Sequence, residues 1–149
     1  MANLTWGKPT VEIAPYVNGA LPAVPTWTAL PDLRQDSAKL TPTKGTKLEA
    51  IAEGGDTIDV KYQKNKFSFD CEVFVQKDAV KPITDVDGVI DTNYAIRLTP
   101  EDNTLTGWQL DKTYVTVETS WTSKDGTMLK YSFEGLKPAA GGILKEYTA

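Results

Sequence analysis

The amino-acid sequence predicts an all-β fold, an antiparallel β-sandwich or barrel with one short flanking helix. Apolar and polar residues alternate with a period of two in several separate runs, which is the pattern of strands that bury one face. Clusters of Gly, Pro, Asn and Asp separate these runs and supply turns. A length of 149 residues suits one domain with its own core, and no repeat or shift in composition divides it. We therefore expect a single β domain over residues 1–149.

Proline is concentrated near the N-terminus, where five of the nine prolines lie within the first 31 residues. Proline fixes φ and cannot donate to a strand ladder, so residues 1–25 are predicted to form an extended N-terminal arm outside the globular core. Residues 10–14 alternate well enough to make one short strand within this arm. On this interpretation, a chain that lacks residues 1–16 still folds.

The clearest alternation lies between residues 56 and 76. Two predicted strands each place their apolar residues on one face, namely Ile58, Val60 and Tyr62 in the first and Phe67, Phe69, Cys71, Val73 and Val75 in the second. Residues 63–65 are predicted to be the tight turn between them, and residues 46–52 to be a further strand that turns back through 53–56. Because such apolar faces pack inward, Cys71 is predicted to be a core residue rather than a reactive thiol.

Three more strands are predicted in the second half of the chain, at residues 94–99, 115–122 and 129–134. Asp125-Gly126 between the last two predicts a two-residue type I′ turn, because both central positions of that turn need positive φ. Residues 31–40 and 84–90 are the candidates for the short helix, and neither is long enough to be stable without tertiary support.

Composition excludes several classes of function. The chain has no histidine, so it cannot form a Ser-His-Asp triad, a Cys-His pair or a histidine-ligated metal site. Its single cysteine excludes an internal disulfide framework. A net charge of −4 argues against a protein that binds duplex nucleic acid. Neither a signal peptide nor an apolar span is evident, so cytoplasmic synthesis without a membrane anchor is expected.

No motif for catalysis or metal binding stands out. Asp85, Asp87 and Asp91 suggest a calcium loop, but aligning Gly88 with the loop glycine puts Ile83 and Tyr94 at the end positions, where carboxylates are needed. A turn is favoured there instead. The 20 acidic residues offer many carboxylate pairs of the kind that glycosidases use, yet no motif singles out one pair. We expect a protein that is not an enzyme and that has no cofactor or metal.

The chain from about residue 25 to 149 resembles the tail-tube-like proteins of phages and prophages of gut bacteria in the Bacteroides group. The resemblance rests on TPTKGTKLEAIAEGG at 41–55, DVKY at 59–62, FSFDCEVFV at 67–75, DVDGVI at 85–90, YAIRLTPED at 94–102, KYSF at 130–133 and LKP at 136–138.

The resemblance implies a structural subunit that forms stacked, hexameric rings around a lumen for DNA, together with other tail proteins. In that family the N-terminal region and long loops make contacts between rings, which makes Trp6, Tyr16 and Trp27 the candidates for subunit contacts. A lumen that lets DNA slide is acidic or neutral, because basic residues would hold phosphates. The acidic candidates for the lumen are Asp59, Asp70, Glu72 and Glu118. The subunit would assemble in the host cytoplasm and end in the virion tail or a prophage-derived particle.

The alternative is a stand-alone β-sandwich that acts as a binding or adhesion module. Such a module would present tryptophan and tyrosine to a glycan or a protein. The four tryptophans are scattered along the sequence and form no compact motif.

Overall fold

The computed structural model describes residues 4–76 and 81–148, which form ten β-strands and no helix. The strands are β1 (Thr10–Pro15), β2 (Thr28–Ala29), β3 (Lys39–Thr43), β4 (Lys47–Ile51), β5 (Thr57–Tyr62), β6 (Lys66–Phe74), β7 (Tyr94–Thr99), β8 (Gly107–Thr122), β9 (Gly126–Gly135) and β10 (Leu144–Tyr147). Eight of them form an antiparallel sheet in the order β2-β1-β7-β8-β9-β6-β3, with β10 also paired to β8. The other two, β4 and β5, form a separate hairpin. The predicted all-β class is confirmed.

The long strand β8 pairs with different strands along its two halves. Its first part pairs with β7 and β10, and its second part pairs with β9. The register changes between these parts, because Ile96 lies opposite Leu110 whereas Tyr94 lies opposite Thr113. β8 thus has one extra residue at this point, and such a bulge bends a strand and increases its twist.

An aromatic contact shows how far the sheet folds over. In a flat sheet Phe69 and Trp108 would lie far apart. Phe69 is level with Val115 but two strands away from it, and Trp108 precedes Val115 by seven residues, about 23 Å along a straight strand. Yet the rings of Phe69 and Trp108 meet edge-to-face with their centroids 5.0 Å apart. The layer of β1, β7 and the start of β8 therefore packs on the layer of β6, β9 and the end of β8, as in a β-sandwich.

The core lies between these layers. Its fully buried side chains include Phe69, Cys71, Val73, Ile96, Leu110, Val115, Leu129, Tyr131 and Phe133. Two hydroxyl groups of the core have hydrogen-bond partners: the Thr113 hydroxyl donates to the Tyr94 carbonyl at 2.6 Å, and the Tyr131 hydroxyl donates to the Ile83 carbonyl at 3.2 Å. The predicted core position of Cys71 is confirmed.

The predicted flanking helix is wrong at both candidate positions. In 84–90, Asp87 and Gly88 have φ of 51° and 84°, and Val86 and Val89 exchange two backbone hydrogen bonds across a tight turn. Positive φ at two successive residues cannot continue a right-handed helix. In 31–40, Asp36 has φ of 60°, Leu33 makes a β-bridge to Val73, and β3 begins before the segment ends.

The predicted short strand at 10–14 is confirmed, but its placement in an arm outside the core is wrong. β1 lies between β2 and β7, and Val11, Ile13 and Ala14 are buried. Proline does not prevent this, because Pro15 occupies the last position of the strand, where a missing donor costs little.

Two predicted turns differ from the structure. β8 and β9 form the expected hairpin, but three residues, 123–125, connect them, and only Gly126 has positive φ, at 72°. A three-residue loop followed by a left-handed glycine is a common hairpin connection, so the type I′ assignment is wrong. Residues 63–65 are also not a turn between paired strands, since β5 pairs with β4 while β6 pairs with β3 and β9.

Candidate functional site

The β4–β5 hairpin (residues 47–62) is the most exposed feature of the described fold. Every residue of both strands is exposed, although the alternation of residues 57–62 predicted one buried face in β5. Ile58 is 73% exposed and Ile51 is 58% exposed. The hairpin therefore projects from the sandwich, and no layer formed by the described residues covers it.

The apolar residues of the hairpin gather on one side. Val60 and Tyr62 lie opposite Glu49 and Lys47, which places all four on the same face, and alternation along β4 adds Ile51. Ile58 lies beside them, where the register of the hairpin shifts by one residue. We call Ile51, Ile58, Val60 and Tyr62 the hairpin patch.

Charged side chains border the patch. Lys47 forms an ion pair with Glu49, and the Lys44 ammonium lies over the Tyr62 ring, 4.7 Å from its centroid. Such surface pairs contribute little to stability, so they do not replace burial of the apolar side chains.

The opposite face of the hairpin is more polar and serves as a reference. It carries Leu48, Ala50, Asp59 and Lys61. Asp59, a lumen candidate, is exposed there, and its carboxylate accepts a hydrogen bond from the Val60 amide at 2.8 Å.

A two-stranded hairpin of this kind is marginal on its own. Among residues 4–76 and 81–148, each strand has one edge without a ladder partner. Isolated hairpins in water are barely stable unless a third strand or another element covers them. A surface with unpaired strand edges beside an apolar patch is suited to binding another chain, by strand pairing at the edge and apolar packing on the patch.

The structure brings the other three lumen candidates onto one outer face. Glu72 and Glu118 flank Lys130 on neighbouring strands, and Asp70 lies opposite Ser132, whose hydroxyl donates to it. Glu72 also pairs with Arg34 at 3.1 Å. The strand pairing also places Lys39, Lys66 and Glu134 on this face, so four carboxylates meet four cations and the face is close to neutral.

The three predicted contact residues have different surroundings. Trp6 is 73% exposed. The Tyr16 hydroxyl donates to the Asp111 carbonyl at 2.7 Å, which ties β1 to the bulge of β8. Trp27 lies on the Arg97 guanidinium, with 4.2 Å from the ring centroid to the guanidinium carbon, so it is engaged within its own chain.

Sequence reasoning missed the hairpin patch as a surface feature. Alternation shows which side chains share a face, but it does not show whether another layer covers that face. The available signal was the density of charges on both strands and their connections, namely Lys44, Lys47, Glu49, Glu53, Asp56, Asp59, Lys61, Lys64 and Lys66.

A cleft of about 1160 Å³ opens between the N-terminal residues and the 30–40 segment. Its lining includes Trp6, Leu40, Phe69, Leu98 and Trp108. Over residues 4–76 and 81–148, no group of three or more Cys, Asp or Glu side chains is placed to hold a metal ion.

No model of a protein family fits the chain, and no curated protein sequence matches it. Among the described residues, no helix has the length and apolar character needed to cross a membrane.

Proposed function

We propose that this protein is a structural subunit of a phage tail tube, or of a prophage-derived one, that assembles with copies of itself into stacked rings around a lumen for DNA. The hairpin patch is the observation that carries the proposal. Burying an apolar side chain of the size of Ile or Val stabilises by about 1.5–3 kcal/mol, so four such groups favour an assembled state. The resemblance of residues 25–149 to tail-tube-like proteins supports the same function.

A second copy of the chain is the natural partner for the hairpin. The hairpin lies away from the sandwich, so a copy that receives it uses a different surface from the one it offers. Contacts between two different surfaces are heterologous, and they generate rings when the rotation closes and filaments when it does not. A tube of stacked rings combines both arrangements, a closed ring and an open-ended stack of rings.

The end of β8 offers an edge to receive a strand. In the described part of the chain, Glu118–Thr122 pairs with β9 on one side only. Residues 118–122 are exposed, and Trp121 is 69% exposed. An exposed strand edge of this length is a template for pairing with another chain.

The charge of the outer face suits a lumen. Its carboxylates balance its cations in number, so the face would not hold DNA phosphates by net attraction. The tube would thus let DNA pass without sequence-specific binding.

Variants on the two faces of the hairpin test the proposal. Replacing Ile58 and Val60 with serine should leave the protein monomeric and folded, because both side chains are exposed in the single chain. Leu48→Ser, on the opposite face of the same hairpin, is the matched control and should assemble like the wild type. Sedimentation velocity over a concentration series measures assembly, and thermal melts confirm folding. Equal assembly by the Ile58/Val60 variant and the wild type would refute a role for the patch.

The cleft favours a second candidate function, a stand-alone binding module for a glycan or a protein. Trp6 is exposed at the cleft and Trp108 lines it, and tryptophan faces are common platforms for sugars. This function predicts a monomer that binds its ligand, with binding lost in Trp6→Ala as measured by calorimetry.

A further inference from the structure

The direction of the hairpin depends on two short connections. Both strands are exposed along their whole length, so the sandwich does not hold them in place by burial. The chain enters the hairpin through residues 44–46 and leaves it through residues 63–65. These two segments form the stem of the hairpin.

Gly45 lets the two segments of the stem approach each other. A Cβ atom at position 45 would lie 1.9 Å from the Gln63 carbonyl oxygen and 2.8 Å from the Lys64 carbonyl oxygen. Both obstacles are backbone atoms, which cannot rotate away as a side chain can. Any residue other than glycine must push the segments apart.

Hydrogen bonds hold the stem in this close arrangement. The Gly45 amide donates to the Asn65 side-chain oxygen at 3.0 Å, and the Gln63 amide donates to the Thr46 carbonyl at 2.9 Å. The first of these bonds links the entering segment to the leaving segment through a side chain. It is therefore sensitive to substitution at a single position.

We infer that Gly45 and Asn65 are positioning residues that set the angle at which the hairpin leaves the sandwich. The geometry of the stem carries this inference by itself, and its consequence for assembly rests on the proposed function. The six-residue strand β5 is about 20 Å long, and the two strands of the hairpin are about 5 Å apart. Separating the stem by about 1 Å on one side therefore moves the tip of the hairpin by roughly 4 Å.

Distances between spin labels in the monomer test the angle directly. One label is attached at Asp56→Cys in the turn of the hairpin and the other at Glu134→Cys, an exposed site on β9. Cys71 is fully buried and stays unlabelled. We expect one narrow distance for the parent protein, a shift of several ångströms or a clear broadening for Gly45→Ala, and a broadening for Asn65→Ala.

Two controls make the test specific. Asn65→Asp keeps an acceptor oxygen for the Gly45 amide and should retain the parent distance. Gly142→Ala places its Cβ 3.8 Å from its nearest neighbour, an ordinary contact, and should also leave the distance unchanged. If Gly45→Ala fails to fold, the Asn65 pair alone decides the question.

Parent distances in both Gly45→Ala and Asn65→Ala would overturn the inference, as would equal distances in Asn65→Ala and Asn65→Asp when Gly45→Ala does not fold. Sedimentation of the same variants, without labels, then tests the proposed function separately. A changed angle with lost assembly supports both proposals. A changed angle with normal assembly supports the positioning role of Gly45 and Asn65 and contradicts the role of the hairpin in assembly.

Discussion

Cys71 is held in the middle of β6, where its side chain is fully buried and its strand neighbour across the sheet is Tyr131. Burial raises the pKa of the thiol to about 12, and the nearby carboxylates of Asp70 and Glu72 add to this effect. A thiol that stays protonated is a poor nucleophile, so Cys71 acts as a small apolar residue of the core.

This raised pKa makes stability depend on pH in the alkaline range. In the unfolded chain the thiol ionises near its ordinary pKa of 9.0, while in the folded protein it stays protonated until about pH 12. The unfolded state therefore binds fewer protons between these values, and the free energy of unfolding falls as pH rises. Cys71 contributes a slope of up to about 1.4 kcal/mol per pH unit.

Urea unfolding of the wild type and Cys71→Ala measures this contribution. The wild type should be the more stable protein at pH 7, and its advantage should shrink between pH 9 and pH 11. Parallel stability curves over that range would contradict the account. The tyrosines, which ionise in the same range, are common to both proteins, and the change at position 71 acts directly only on Tyr131 across the sheet, where Cys71 is a minor cause of the raised pKa.

Among the elements, β6 and β9 were the most predictable and β8 the least. In β6 every second residue, at Phe69, Cys71 and Val73, is buried, so the alternation in the sequence is uninterrupted. In β8, the buried Leu110 has an even residue number and the buried Val115 an odd one. The extra residue of the bulge between them shifts the alternation of buried and outward side chains by one position. The sequence therefore predicted only residues 115–122 of a strand that begins at Gly107.

The candidate site was harder to predict than the strands that form it. Both hairpin strands were predicted, β5 from its alternation and β4 as the strand at residues 46–52, but their exposure depends on which strands pair. β5 pairs with β4 rather than with β6, and this keeps the hairpin off the main sheet. Pairing is a long-range property that no local pattern contains.

β1 leads to a prediction at the scale of an element. Deletion of residues 1–16 removes the buried Val11 and Ile13 and exposes the edge of β7. Loss of these two side chains alone costs about 3–6 kcal/mol, a large part of the stability of a typical domain. We expect that this variant does not unfold cooperatively in circular dichroism melts.

Deletion of residues 1–9 is the matched control, since it leaves β1 intact. It should melt cooperatively, close to the full chain. A cooperative melt for the chain that lacks residues 1–16 would instead show that the sandwich does not need β1.

At the scale of the whole molecule, three features point in one direction. The sandwich has a closed apolar core, and the hairpin leaves an apolar patch outside it. Within the part of the chain that the structure describes, the end of β8 leaves an open edge. A monomer can tolerate one such surface, but two different ones on the same chain suit a repeating contact between copies. This combination is the physical basis of our proposal that the chain is a subunit that builds rings and tubes.

Electron microscopy of the purified protein over a range of concentrations tests this central claim most directly. The account predicts rings with a central hole, or stacks of such rings, at high concentration or after addition of partner tail proteins. The variant with serine at positions 58 and 60 should show single particles under the same conditions. Single monomeric particles of the wild type at every concentration, with and without the partner proteins, would contradict the claim that this chain is a tube subunit.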